Sequence, residues 1–387
     1  MNLVALKGRV VTDYEVWEEG CVLLGDGAVR EVSRDGGAAE EADEVHELGE
    51  ALILPGFVDL QVNGAFGVDI AGRPDLLGEL SRRLLSTGTT AYLPTVITSS
   101  LESYGRVLPV LARGIAGAGP EGARPLGVHL EGPFISPGRR GAHPAEHVRP
   151  PDIGLLGWLL ELAPVRMITA APELEGAGGL MAAARDRGAV VSLGHSDASF
   201  EVAYAALDRY AAGVTHLFNA MSPLHHRDPG LPGAAFAHPR AVCGLIADGR
   251  HVHPEMVALA FRMLGPDRLC LVTDAISAAG MDAGEFTLAS RRVRLEDGVP
   301  RLDDGTIAGS VLTMERAFQN ILAFTGCTLP EAARMAAATP ARLVGEGRRK
   351  GRLSPGYDAD VTVLAPDLSV EAVWVGGRQL YCAGKVV

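Results

Sequence analysis

Residues 190–210 read VVSLGHSDASFEVAYAALDRY. The run 190–194 is short, apolar and rich in β-branched valine, as in a strand buried on both faces. The stretch 200–210 places apolar residues at helical spacing. Between them stands His195, at the C-terminal end of the strand. This strand, polar group, helix unit recurs along the chain. Further strand-like runs occupy 52–61, 90–96, 126–130, 165–170, 213–217, 242–246 and 269–273. Amphipathic segments at 75–86, 101–116, 182–187, 254–264, 313–324 and 330–338 fall between or after them. Pro330 suits a first helical turn. Eight such units over about 290 residues indicate an α/β fold, a (β/α)8 TIM-type barrel. A doubly wound open sheet is the alternative if the strand count is off by one.

The two ends of the chain read differently. Runs at 4–11, 21–24 and 28–32 are broken by Asp26-Gly27 and Asp35-Gly36, which signals short strands joined by turns. Strand-like runs at 360–364 and 370–375 precede a Gly376-Gly377 turn. Neither end can bury a core alone. Together, 1–53 and 346–387 are expected to form one small β-sandwich domain flanking the barrel at 54–345; two separate edge hairpins are the alternative.

Composition excludes several functions. The formal net charge of the 387 residues is −12 with no basic stripe, so a general nucleic-acid binder is not expected. Any anionic ligand needs a local cluster of positive groups. The N-terminus lacks the apolar core and cleavage site of a secretory signal, and no run is long and apolar enough for a membrane helix. Cys21, Cys243, Cys270, Cys327 and Cys382 are scattered and never form a CxxC pair, which argues for reduced thiols and a cytoplasmic protein. Lys7, Lys350 and Lys385 are the only lysines. That leaves no phosphate-binding GK[ST] loop, no Schiff-base lysine in mid-chain and no carbamylated lysine between two metals.

Barrel enzymes carry their chemistry at the C-terminal ends of the strands. Glu131 follows the third strand in HLEGPF, His195 the fifth, His216 the sixth in THLFNAM, and Asp274 the eighth in VTDAIS. Taken singly, Glu131 reads as a solvated or helix-capping carboxylate, each histidine as a hydrogen-bonded structural residue, and Asp274 as an N-cap. Taken together at one barrel end, a glutamate and two histidines form a three-ligand site for a divalent metal with one position left open. Such a metal lowers the pKa of water toward about 7, and Asp274 would be placed to move protons. His129 shares a strand face with Glu131 and is expected behind the site or in the core.

These residues also carry a family resemblance. LPGFVDLQVNG at 54–64 resembles the first barrel strand of the amidohydrolase superfamily, where His-x-His binds a buried metal; here Gln61 and Asn63 take those places. That replacement, with HLEGPFISPGRRGAHP, GHSDAS, THLFNAMSPLHHRDPG, DGRHVHPE, VTDAISAAG and GTIAGS in order, is similar to the N-acetylglucosamine-6-phosphate deacetylase branch over nearly the whole chain. The resemblance implies one divalent metal per chain on Glu131, His195 and His216, zinc first, with iron, cobalt or manganese as alternatives. It implies Asp274 as general base and then acid, and His143 as the group polarising the acetyl carbonyl. It implies substrate contacts from Gln61, Asn63, Ala142, His143, Asn219, Ala220, Arg227, His251, Ile307, Ala308 and Gly309. Arg227 and His251 are expected to reach the phosphate in a neighbouring subunit of a homodimer. The implied reaction is deacetylation of N-acetylglucosamine 6-phosphate, in amino-sugar catabolism or cell-wall recycling. The galacto epimer, another amidohydrolase reaction and an inactive sugar-phosphate-binding scaffold are the competing readings.

Overall fold

The computed structural model describes residues 2–35, 37–289 and 291–384. Lys385 lies outside them. Eight parallel strands pair in chain order: Phe57–Val62, Thr89–Ile97, Val128–Glu131, Val165–Ala170, Val190–Leu193, Gly213–Val214, Val242–Leu245 and Leu269–Leu271. A parallel bridge between Val62 and Ala275 brings the first and last strands together and closes the ring. The expected (β/α)8 barrel is the observed one. Several of its helices begin where a polar side chain caps them. Ser100 accepts the amide of Ser103, Asp152 that of Leu155 and Ser199 that of Val202.

A buried carboxylate reinforces the seam beside this bridge. Asp59, on the first strand, accepts the Thr273 amide at 3.2 Å and the Thr273 hydroxyl at 2.5 Å. It also takes the Gln61 amide at 3.2 Å. Burial raises its pKa to about 6, opposed by these hydrogen bonds.

Both termini build a single seven-stranded sheet, in the order Arg378–Cys382, Val370–Val375, Val361–Leu364, Glu44–Pro55, Val4–Val11, Val16–Gly25, Ala28–Ser33. The small β unit is therefore one continuous hydrogen-bonded sheet with apolar clusters on its faces. The expected run 52–61 divides in two. Its first part pairs with Val361–Leu364 and its second part enters the barrel. The break is Gly56, where a Cβ would lie 2.2 Å from Thr90 Oγ1. Both halves are buried, so periodicity shows no boundary.

Two helices and an antiparallel unit are among the elements that lie outside the sequence expectations. The helix Ile153–Leu162 is apolar almost all round, and Gly230–Ala237 carries glycines and a proline, so neither shows an amphipathic stripe. A three-stranded antiparallel unit, Glu285–Leu288, Arg291–Glu296 and Val299–Arg301, follows the eighth strand. Asp297-Gly298, both at positive φ, is the hairpin signal that announces it.

Replacing Asp59 with alanine leaves buried donors of Thr273 and Gln61 unpaired at the barrel seam. The expected loss is about 3 kcal/mol in denaturant unfolding; a loss under about 1 kcal/mol would show that the seam does not depend on Asp59.

Candidate active site

Four groups meet at the C-terminal end of the barrel. Glu131 is the last residue of the third strand. His195, His216 and Asp274 follow the fifth, sixth and eighth strands with φ of 49°, 31° and 50°. This left-handed region costs a side-chain-bearing residue about 1–2 kcal/mol. Neighbouring backbone holds each one there. The carbonyl of His195 accepts the Ser136 amide at 2.8 Å, that of His216 the Asn219 amide at 2.9 Å, and that of Asp274 the Ser310 amide at 2.8 Å.

Glu131 Oε1 lies 3.0 Å from His195 Nε2 and 2.9 Å from His216 Nε2, and the two Nε2 atoms are 3.1 Å apart. All three side chains are buried. His195 Nδ1 donates to the Arg139 carbonyl at 2.9 Å, which leaves the lone pair of a neutral ring on Nε2. Lone pairs this close repel unless a cation stands among them. Three donors on a tetrahedral metal with bonds near 2.05 Å sit about 3.3 Å apart, close to the observed triangle. The residues fit a divalent metal, and among the described residues they are the one His, Cys and carboxylate group so arranged. Burial pushes the Glu131 carboxyl up; with the two imidazoles protonated, their hydrogen bonds and charges outweigh it and hold the carboxyl well below the usual range, and a bound cation would take the place of those protons.

The amides of the first strand stand beside this triangle. Gln61 Nε2 donates to Glu131 Oε1 and Asp274 Oδ1, both at 3.0 Å, and Asn63 Nδ2 donates to Asp274 Oδ1 at 2.8 Å. Asp274 Oδ2 has no hydrogen-bond partner among the described residues and is free to exchange a proton. Burial first, then the Glu131 charge, raises the Asp274 pKa to about 8. His143 Nδ1 accepts from the Thr98 amide at 3.3 Å and lies 2.8 Å from its hydroxyl. Its proton therefore sits on Nε2, 3.9 Å from Glu131 Oε2. Burial and the nearby histidines hold His143 well below the usual histidine range, so it stays neutral.

A cavity of about 380 Å³ opens onto these groups. Glu131, His195, His216, Asp274 and His143 line it, with Asn63, Ala142, Asn219, Ala220, His251, Ile307 and Gly309. The buried Asn63 Oδ1 has no partner among the described residues, which leaves an acceptor for a ligand donor. Three expected contacts do not line the cavity. Gln61 is spent on bridging Glu131 and Asp274 from behind. Ala308 alternates to the other side of its extended segment and packs with Ile276 and Phe286. Arg227 lies on the exposed loop 223–228. His251 stands in the wall of its own chain's cavity. The Asp248 carboxylate, 2.7 Å from His251 Nδ1, holds it there.

Arg139, Arg250, Leu288 and Thr306 line the cavity as well and were not singled out from sequence. Arg250 adjoins His251 in DGRHVHPE, which was a usable signal. Leu288 and Thr306 flank or belong to the antiparallel unit, which periodicity did not reveal. His129 lies behind the site as expected. Its Nδ1 is 3.1 Å from the Leu60 carbonyl and its Nε2 is 2.8 Å from Thr169 Oγ1. Burial lowers its pKa to about 4.

A barrel that gathers a carboxylate, two imidazoles and a free aspartate around an open cavity is the frame of a metal-dependent hydrolase. Residues 52–380 match the amidohydrolase family. The chain is 41% identical to N-acetylglucosamine-6-phosphate deacetylase of Bos taurus, over 98% of this chain and 94% of that one. It is 36% identical to N-acetylgalactosamine-6-phosphate deacetylase of Escherichia coli O157:H7, over 96% and 98%. A mutant N-acetyl-D-glucosamine-6-phosphate deacetylase from Mycobacterium smegmatis, solved in complex with N-acetyl-D-glucosamine 6-phosphate, superposes with a TM-score of 0.91 at 34% identity, covering 98% of this chain and 99% of that one. The chain belongs to the amidohydrolase family, in its N-acetylglucosamine-6-phosphate deacetylase branch.

The donor triangle leads to a count. The protein is expected to hold about one divalent metal ion per chain, with three protein ligands. His216→Ala should reduce bound metal well below that in elemental analysis after gel filtration; undiminished metal would remove His216 from the ligand set.

Proposed function

We propose that this protein hydrolyses N-acetylglucosamine 6-phosphate to glucosamine 6-phosphate and acetate. The observation that carries the reading is the free Asp274 oxygen beside the Glu131, His195 and His216 triangle, inside a cavity shared with His143. The Mycobacterium smegmatis relative, solved with this sugar phosphate, supports the substrate. Glu131, His195 and His216 would hold the divalent cation, and their donor set suits zinc. Bound there, a cation supplies Lewis acidity that polarises an acyl oxygen and makes hydroxide accessible near neutral pH.

The chain's own residues supply the rest. His143 directs Nε2–H into the cavity, where it can donate to the acyl oxygen as negative charge develops there. Asp274 Oδ2 takes the proton from the attacking water and returns it to the departing nitrogen. That return is necessary because an amide anion is a very poor leaving group. Gln61 and Asn63 both hold Asp274 through Oδ1, which keeps Oδ2 free for the transfer.

Phosphate recognition has to overcome a net charge of −12. His251 is available in the cavity wall. We infer that Arg227, on its exposed loop, reaches the cavity of a second copy in a homodimer, as a charge-assisted donor. The five unpaired cysteines support a reducing, cytoplasmic setting. Among the described residues no helix is long and apolar enough to cross a membrane. The second reading, the galacto epimer, is favoured by the relatives named for it.

The direct test offers the metal-loaded protein N-acetylglucosamine 6-phosphate, its galacto epimer and unphosphorylated N-acetylglucosamine, and measures acetate and amine release. Release that requires phosphate and prefers the gluco sugar is expected; preference for the galacto sugar would install the second reading. Asp274→Asn should retain metal and lower kcat by about a thousandfold or more, and near-normal turnover would refute its role. Asp274 must be ionised to act as base. Burial and Glu131 raise its pKa and a cation at the triangle lowers it. Activity should therefore fall as pH drops, with a midpoint below about 8 in the loaded protein. A rate that stays flat down to about pH 5 would contradict this. Arg227→Ala should raise KM for the phosphorylated sugar alone; an equal rise for the unphosphorylated sugar would exclude phosphate contact.

A further inference from the structure

Glu173 lies beyond the fourth barrel strand and does not line the cavity. Its carboxylate nevertheless closes on the loop that carries His195. Oε2 accepts the Ser196 hydroxyl at 2.7 Å, and Oε1 accepts the Asp197 amide at 2.6 Å. The Asp197 carboxylate accepts Arg139 Nε at 2.9 Å. The Arg139 carbonyl in turn accepts Nδ1–H of His195 at 2.9 Å. The contacts thus leave the loop one residue after Ser196 and return to it one residue before.

The arrangement answers a specific need. His195 has a left-handed backbone that its own side chain does not favour, so something outside the residue must define it. The hydrogen bond on Nδ1 decides which tautomer the ring adopts and where Nε2 points. Both depend on where residues 195–197 and Arg139 stand. Glu173 reaches the first directly and the second through Asp197. An amide in its place keeps one acceptor where a carboxylate has two, so it would hold the loop only in part.

We propose that Glu173 is a positioning residue for the metal centre, clamping the 195–197 loop so that His195 meets the cation and Arg139 keeps its place in the cavity wall. The proposal rests on the reading of Glu131, His195 and His216 as metal ligands.

The test compares wild type, Glu173→Gln and Glu173→Ala, each loaded with zinc or with cobalt(II). Metal affinity is measured by competition with a chromophoric chelator, ligand geometry by the visible bands of bound cobalt, and kcat and KM by acetate release. Glu173→Ala is expected to weaken metal binding by about tenfold or more, to change the position or intensity of the cobalt bands, and to raise KM as Arg139 is released. Glu173→Gln should fall between it and wild type. A merely structural residue would lower the thermal midpoint and leave the cobalt spectrum of the folded protein unchanged. An unchanged spectrum and affinity in Glu173→Ala would overturn the proposal. Should that variant not fold, the same result in Glu173→Gln would do so. Wild type that binds no cation would instead overturn the ligand assignment beneath it.

Discussion

Three electron-rich atoms, a carboxylate oxygen and two imidazole nitrogens, are held about 3 Å apart in a buried place. Without a cation this arrangement is repulsive and poorly solvated, and the fold meets that cost at several positions. Two of the ligands and the adjacent aspartate occupy left-handed backbone. Such residues persist only where the surrounding hydrogen bonds over-determine them. Those bonds come from the loops that follow the strands, so the barrel acts as the rigid frame and the loops do the aiming.

The layer beneath the triangle is polar where a barrel interior is more often filled by branched aliphatic residues. His129 Nε2 meets Thr169 Oγ1 at 2.8 Å, and Thr169 and Ser192 each lie 2.7 Å from Thr215 Oγ1. These groups satisfy one another, so their burial is tolerated. Asp59 adds side-chain hydrogen bonds to the backbone bridge at the seam. It joins the strand bearing Gln61 and Asn63 to the segment that leads into Asp274, and so sets the spacing of the two amides against the acid they hold.

Gln61 and Asn63 put hydrogen-bond donors beside the donor triangle. An amide nitrogen is a donor and does not coordinate metal. Where an imidazole pair would add a second binding place, these two side chains instead neutralise part of the charge on Glu131 and Asp274. They also orient Asp274, leaving one oxygen free. The two amides act as a hydrogen-bonding brace that gives the free Asp274 oxygen a defined direction.

Much of this was legible in the chain. The alternation of apolar runs and amphipathic stretches marks a barrel because each strand needs two covered faces. The polar residues just after those runs marked Glu131, His195, His216 and Asp274, since the topology allows only one end to carry them. What remained hidden has physical reasons. The break at Gly56 lies between two equally buried strands. The helix Ile153–Leu162 has no polar face to reveal it. Glu173, Thr98, Arg139 and Arg250 act through hydrogen bonds or cavity walls that join residues far apart in sequence. Periodicity reports only which face of an element is buried. The sequence alone therefore determined the kind of fold and the donors available at one end of it. Only the tertiary structure decided that Gln61 braces while Asn63 faces the cavity, that Ala308 turns inward, and that His251 lines the cavity wall, because each of these depends on which side chains the closed ring brings together.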